Sequence, residues 1–228
     1  MRYDGEHKER TRLRLLTEAA IMLREDGPSG LSVVTLMKRQ GLTHGGFYAH
    51  FKSKDDLIAH ALDTMFERTC ERYLTKTRGL VPAAALSNYI AYYLSPAHIN
   101  KPGQGCPIPA VAGDVARLGT QARKRFEAGM VKLQRLVALE FEGLDRSQED
   151  ALTEALALLS ELSGAVIMAR AVKSPAMVRQ VGLAAHTAIA TRLGLPLPVA
   201  DAADDAEEPS RPSHRPHLSD EDAAPAEM

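Results

Sequence analysis

Along most of the chain, apolar residues recur at intervals of three and four, the period of helices with one buried face. Leu16, Ala20 and Leu23 carry it through a first helix from about Lys8 to Arg24, which Gly27 and Pro28 should end. Ser32 is placed to cap a short second helix, Val33 to Gln40. Gly41-Leu42-Thr43 reads as a tight turn, and Thr43 as the cap of a third short helix ending near Phe51. Ser53 then caps a fourth, with Asp55 and Asp56 at the positive end of its dipole, and Leu57, Leu62, Met65 and Phe66 carry it to about Leu74.

From Pro82 the period resumes, over about Ala83 to Leu94. A Gly- and Pro-rich loop is expected over Ser95 to Gly105, and a short helix from Pro107 or Pro109, since proline is tolerated in a first turn. Thr120 to Glu142 predicts a long amphipathic helix with Phe126, Met130, Leu133, Leu136 and Val137 on one face. Ser147 to about Val172 and Pro175 to Leu193 predict two more. No strand pattern competes, so the fold is expected to be all-α. Beyond Gly194 the chain is rich in Pro, Ala and acids, and residues 195–228 are expected to form a disordered acidic tail.

Charge adds an asymmetry that the net value of −1 hides. Residues 1–54 carry ten Lys/Arg against six Asp/Glu, while residues 201–228 carry two against nine. A basic N-terminal block suits an anionic partner such as DNA. No unbroken apolar run approaches the ~18 residues of a membrane span, and the first residues lack the apolar stretch of a secretory signal. Two cysteines, Cys70 and Cys106, are too few for a disulfide scaffold and fit a reducing cytoplasm.

Two short helices joined by a three-residue turn containing Gly have the layout of a DNA-binding helix-turn-helix, here about residues 32–51. The second helix, from Thr43 to Phe51, holds two adjacent glycines that cost roughly 1 kcal/mol each relative to alanine. They make sense where that face must approach a DNA backbone. Phe47 and Phe51, four apart, can anchor the helix to the core, leaving Thr43, His44 and Tyr48 to reach phosphates or base edges. Lys54, at the start of the next helix, suits a phosphate. A turn with an ordinary half-buried aromatic is the competing reading of the same stretch.

The run Phe47-Tyr48-x-His50-Phe51-x-Ser53-Lys54-Asp55-x-Leu57, with Gly41-Leu42-Thr43 before it, resembles the signature of the tetracycline-repressor (TetR) family. The resemblance covers about residues 10–60. Within it, the Leu36-Met37 pair departs from the family's more usual Ile-Ala, a packing change. The resemblance implies an N-terminal three-helix DNA-binding domain, 1–54, followed by a larger helical ligand-binding and dimerisation domain, 55–194. It implies a homodimer on a double-stranded DNA operator, acting as a repressor without cofactor or enzymatic activity. Thr43, His44, Gly45 and Tyr48 match positions that touch DNA in the family, Lys54 one that binds phosphate, and His50 joins them with a structural role left open.

The dimer interface is expected from the last two long helices. Leu159, Leu162, Gly164 and Val166 on one, and Ala184 and Ala188 on the other, combine close approach with a helix that is apolar on more than one face. Candidate lining of a small-molecule inducer pocket between helices is Phe66, Tyr89, Tyr92, Tyr93, Phe126, Met130, Leu133 and Met168, each also readable as plain core. Cys106, in Gly105-Cys106-Pro107 at a helix N-terminus, is a candidate redox sensor because the helix dipole lowers a thiol's pKa. A small thiol-dependent enzyme using Cys106 with His98 is the rival. No nucleophile-elbow, C-x-x-C or H-E-x-x-H motif supports it, and His98 with Cys106 lacks metal-ligand spacing.

Overall fold

The computed structural model describes residues 2–196, and every regular element among them is helical. In chain order these are α1 (Arg2–Gly30), α2 (Val33–Arg39), a 3-10 helix (His44–Ala49), α3 (Lys54–Thr77), α4 (Pro82–Tyr93) and α5 (Pro96–Asn100). There follow a 3-10 turn (Pro102–Gln104), α6 (Pro107–Val115), α7 (Thr120–Glu142), α8 (Gln148–Ala171) and α9 (Pro175–Leu193). The expected acidic tail lies outside the described residues from position 197 onward.

Helix starts follow local chemistry. Ser32, Ser53, Ser147 and Ser174 each accept the amide of the residue three positions on, satisfying a donor the helix cannot. Proline sits in the first turn of α4, α5, α6 and α9. α1 begins earlier than its apolar period suggests. Its path breaks at Gly27, whose φ of 67° is left-handed, and Pro28 begins a last short turn. The expected loop over residues 95–105 is instead wound into α5 and the 3-10 turn, because Ser95 caps the amide of His98 and Pro96 and Pro102 preset the first turns.

Two apolar clusters are joined by α3, whose 24 residues span about 36 Å. The first gathers Leu15, Leu23, Leu36, Phe47, Phe51 and Leu62 with their neighbours. Val111 and Val115 of α6 and Ala122 of α7 close it from the other half of the chain. The second is built from the far end of α3 with α4, α7, α8 and α9, around Tyr73, Tyr89, Leu133, Leu158 and Val166. The two halves thus share α3 and are locked by α6, with no linker between them. Among the described residues α8 is long and apolar enough to cross a membrane, although it has no unbroken apolar run. Its apolar side lies in the second cluster, and its Glu154 and Glu161 pair with Arg192 of α9 at 2.5 and 3.0 Å.

Candidate nucleic-acid interface and regulatory core

The helix-turn-helix begins with Ser32 capping α2 and turns at Gly41. There the Leu42 amide bonds the Met37 carbonyl at 2.9 Å and the Gly41 amide that of Lys38 at 3.1 Å. This double closure needs a left-handed residue, and Gly41 has φ 69°. The following segment is a 3-10 helix, and Thr43 precedes it in extended conformation without a side-chain cap bond. Both points correct the expectation of an α-helix capped by Thr43. Phe47 and Phe51 are buried with ring centroids 5.6 Å apart and hold the segment to the core. Thr43, His44, Gly45 and Tyr48 are exposed, and Tyr48 stands 67% accessible with its ring edge-on to His44 and Phe47. The three-residue winding aligns Gly45 with Tyr48 on one edge.

Several cations of this half are engaged structurally. Arg12 donates to the His50 carbonyl and lies 4.4 Å over the Phe51 ring. Arg14 bonds Gln40, and Arg39 pairs with Glu18 at 2.8 Å. Lys38, Lys52 and Lys54 have no ion pair among the described residues. Lys54 opens α3 where Ser53 and Asp56 fasten the turn: Asp56 accepts the Lys52 amide at 3.0 Å and gives its own amide to Ser53 at 3.1 Å. His50 is half-buried, with Nδ1 enclosed and unbonded, and burial followed by Lys8 and Arg12 depresses its pKa. The His50 carbonyl, through Arg12, ties the end of the 3-10 helix to α1.

A Cβ on Gly45 would meet nothing within 4 Å, and on Gly46 only Met37 and Thr43 at ordinary contact distances. Neither residue has positive φ. The fold therefore has no internal need for glycine at Gly45, although the residue weakens the helix it occupies.

The expected pocket residues do not all converge. Phe66 is buried against Phe126 at a centroid distance of 5.3 Å, where α3 meets α7 so closely that a Cβ on Gly129 would stand 2.2 Å from the Phe66 ring. Leu133 is core, Met130 is half-buried on α7, and Met168 is exposed on the outside of α8, which removes it from any internal pocket. Tyr89, Tyr92 and Tyr93 do line a common cavity of about 10 Å³, with Thr69, Arg72, His98 and Cys106. An open groove of about 320 Å³ along the outside of α7 is walled by that helix alone and holds none of the expected residues.

Around the cavity, His98 Nδ1 donates to the Tyr93 carbonyl at 2.6 Å, and Nε2 accepts the Cys106 amide at 3.1 Å. Burial, with Arg170, Arg72 and Arg24 nearby, holds His98 neutral and pushes its pKa down to about 4. Both ring nitrogens are thus committed, and His98 has no lone pair to act as base for the neighbouring thiol. Cys106 is fully enclosed, and burial pushes its thiol up despite a bond from Tyr93 and nearby Arg24 and Arg170. This reverses the expectation that the helix start would acidify Cys106. Cys70 is likewise buried and its pKa raised.

Leu159, Leu162 and Val166 are buried within the second cluster and present nothing to a partner, a correction to the expected interface. The outward face of α8 carries Leu156, Ser160, Gly164, Ile167 and Met168, and that of α9 carries Leu183, Ala184, Thr187 and Ala188. Ile167, Met168 and Leu183 are 51, 61 and 62% exposed, which is unusual for three large apolar side chains on adjacent helices.

Two family models match the chain. Residues 15–61 match "Bacterial regulatory proteins, tetR family", and residues 82–184 match "Transcriptional regulator LmrA/YxaF-like, C-terminal domain". Among solved structures, the chain is similar to a TetR transcriptional regulator from Chloroflexus aurantiacus at 24% identity and TM-score 0.69, covering 83% of this chain and 96% of that one. It is similar to a TetR-family regulator from Cytophaga hutchinsonii at 20% identity and TM-score 0.69, covering 81% and 96%. It is also similar to the reduced form of NemR from Escherichia coli at 18% identity and TM-score 0.64, covering 78% and 95%. None of the curated proteins compared matches the chain.

Proposed function

The chain belongs to the TetR family of DNA-binding transcriptional regulators, and from that premise we propose that it is a repressor which grips a palindromic operator as a homodimer and releases it when a small molecule enters the regulatory half. The observation that carries the DNA contact is the exposed edge of Thr43, His44, Gly45 and Tyr48, presented by a turn that Phe47 and Phe51 pin from behind. Gly45 supports it independently: a glycine unneeded inside the molecule fits a surface that something else approaches closely. Lys54, without an ion pair beside the fastened start of α3, supplies a cation and free amides to an adjacent phosphate.

One head makes few contacts, and twofold symmetry doubles them over half-sites spaced by the helical repeat of DNA. The outward α8/α9 face supports that assembly, because small Gly164, Ala184 and Ala188 let backbones approach between the exposed Ile167, Met168 and Leu183. The enzyme alternative lacks a base at Cys106, since His98 spends both nitrogens on backbone groups. Oxidant sensing through Cys106 would first require the enclosed thiol to become accessible, so release by a ligand is the reading we favour.

Fluorescence-anisotropy titration of the full chain against DNA flanking its own gene tests the proposal. Operator affinity should fall steeply as salt rises, because neutralised phosphates release counterions. Lys54→Ala should weaken all sequences alike and reduce the salt slope by about one. Tyr48→Ala should weaken the operator selectively. A flat salt response, or loss of the dimer in either variant, would remove these residues from the DNA surface.

A further inference from the structure

Three arginines converge on the segment 98–106 without an ion pair among the described residues. Arg24, at the end of α1 and only 6% exposed, donates to the carbonyls of Ala20 (3.1 Å), Gly103 (3.4 Å) and Met65 (3.3 Å). Its Nε is enclosed without a partner. Arg72 of α3 donates to the Gln104 carbonyl, and Arg170 of α8 to the carbonyls of Ile99 and His98 at 3.1 and 3.0 Å. Every partner is a neutral carbonyl. Glu25 lays its carboxylate over Gly103 but pairs with none of the three. Burial lowers the pKa of Arg24 to about 10, a sign that its charge is held at a cost.

The cavity described above is a corner lined by Arg72 of the three, together with His98 and Cys106 of the segment they hold. Tyr89, 1% exposed, lines it with a hydroxyl that has no hydrogen-bond partner. Thr69 lines it too, but its hydroxyl already donates to Met65. His98 is neutral with its acceptor nitrogen occupied, and Cys106 keeps its proton. The corner is rich in donors and positive charge and poor in acceptors. Its complement is an acceptor carrying negative charge, and a planar carboxylate matches the fork of a guanidinium together with a phenol O–H.

We propose that the cavity bounded by Arg72, Tyr89, Tyr92 and Tyr93 is the anion subsite of the regulatory pocket, and that it takes the carboxylate of a small organic acid. The identification rests on the ligand-release reading above. A volume near that of one water means that a larger acid enters by lifting the segment of α5 and the 3-10 turn. That segment is tied to α1 through Arg24 and Gly103 and packed tightly at Gly105, where a Cβ would stand 2.7 Å from Arg170. Exchanging the Gln104 carbonyl at Arg72 for a carboxylate would loosen the 3-10 turn whose neighbouring Gly103 carbonyl ties it, through Arg24, to the head helix α1.

Thermal melting of the full-length protein tests this, with sodium acetate and sodium benzoate against sodium chloride at equal ionic strength and benzamide as the neutral isostere of benzoate. A carboxylate is expected to raise the melting temperature where chloride and benzamide do not. Arg72→Gln and Tyr89→Phe should each weaken the half-maximal concentration about tenfold, the loss of one charge-assisted hydrogen bond. Operator binding without added acid reports that each variant is folded. An equal shift with benzamide, or no shift with either carboxylate, overturns the site and leaves a single water as its occupant. A shift unchanged in both variants overturns the assignment to this corner. Stabilisation through these residues with unaltered operator affinity keeps the anion site and overturns its identity with the inducer pocket, which separates the two proposals.

Discussion

At the residue scale, Gly45 separates a structural from a recognition role. Alanine there has room in the chain and a compatible backbone, so Gly45→Ala should leave the melting temperature unchanged or raise stability by roughly 0.4–1 kcal/mol. The same methyl, if that edge meets DNA, should weaken operator binding on the order of tenfold, about 1.4 kcal/mol. A variant that is more stable and binds normally would take Gly45 off the interface. His98 offers a second test. Its folded pKa of about 4 lies below the ~6.5 of an unfolded histidine. Between those values the unfolded chain binds a proton that the folded one does not. The stabilisation is therefore complete above pH ~6.5 and is lost as pH falls toward 4, by up to roughly 3 kcal/mol. The stability gap between wild type and His98→Asn, from denaturant titrations, should narrow over that window. A gap independent of pH would mean that His98 titrates normally.

At the scale of elements, the contact between α3 and α7 is set by one pair. Phe66 fills the hollow left by Gly129, and a methyl there has no free space. Gly129→Ala should destabilise by about 1–3 kcal/mol, the usual cost of overpacking, despite alanine's better helix propensity. Circular-dichroism melting would show it, and a stabilised variant would mean that Phe66 gives way to the methyl without loss of packing. Much of this scale was legible in the sequence. Ser53 and Ser147 announce their helices because a capping serine acts within one turn, and Pro175 marks the start of α9. Phe66 was visible as an aromatic at helical spacing. That it meets a glycine sixty-three residues later depends on how helices pair, which no local pattern encodes. For the same reason nothing local distinguishes the three arginines around residues 98–106, which come from α1, α3 and α8, from other basic residues.

At the scale of the whole molecule, the family signature was readable because its contacts are local: Phe47 packs on Tyr48 and Phe51, and Ser53 accepts the Asp56 amide. The side of α8 that faces outward was not, because that helix is apolar on more than one face and its period gives no single direction. Burial resolves it: Leu159, Leu162 and Val166 face the monomer's core, and Ile167 and Met168 stand exposed beside Leu183 of α9. If that face joins two protomers, a charge on it should break the assembly without unfolding the chain, since the face is already exposed in the monomer. Ile167→Glu and Leu183→Arg are therefore expected to sediment as folded monomers with an unchanged helical spectrum. Their operator binding should then fall to that of a single head, because the two half-sites are no longer held at fixed spacing. Mixing the two variants should restore some dimer if the substituted positions lie close enough across the twofold for their opposite charges to pair. A chain that stays dimeric with both substitutions would move the interface to another surface, and the exposed apolar stripe of α8 and α9 would then need a different partner.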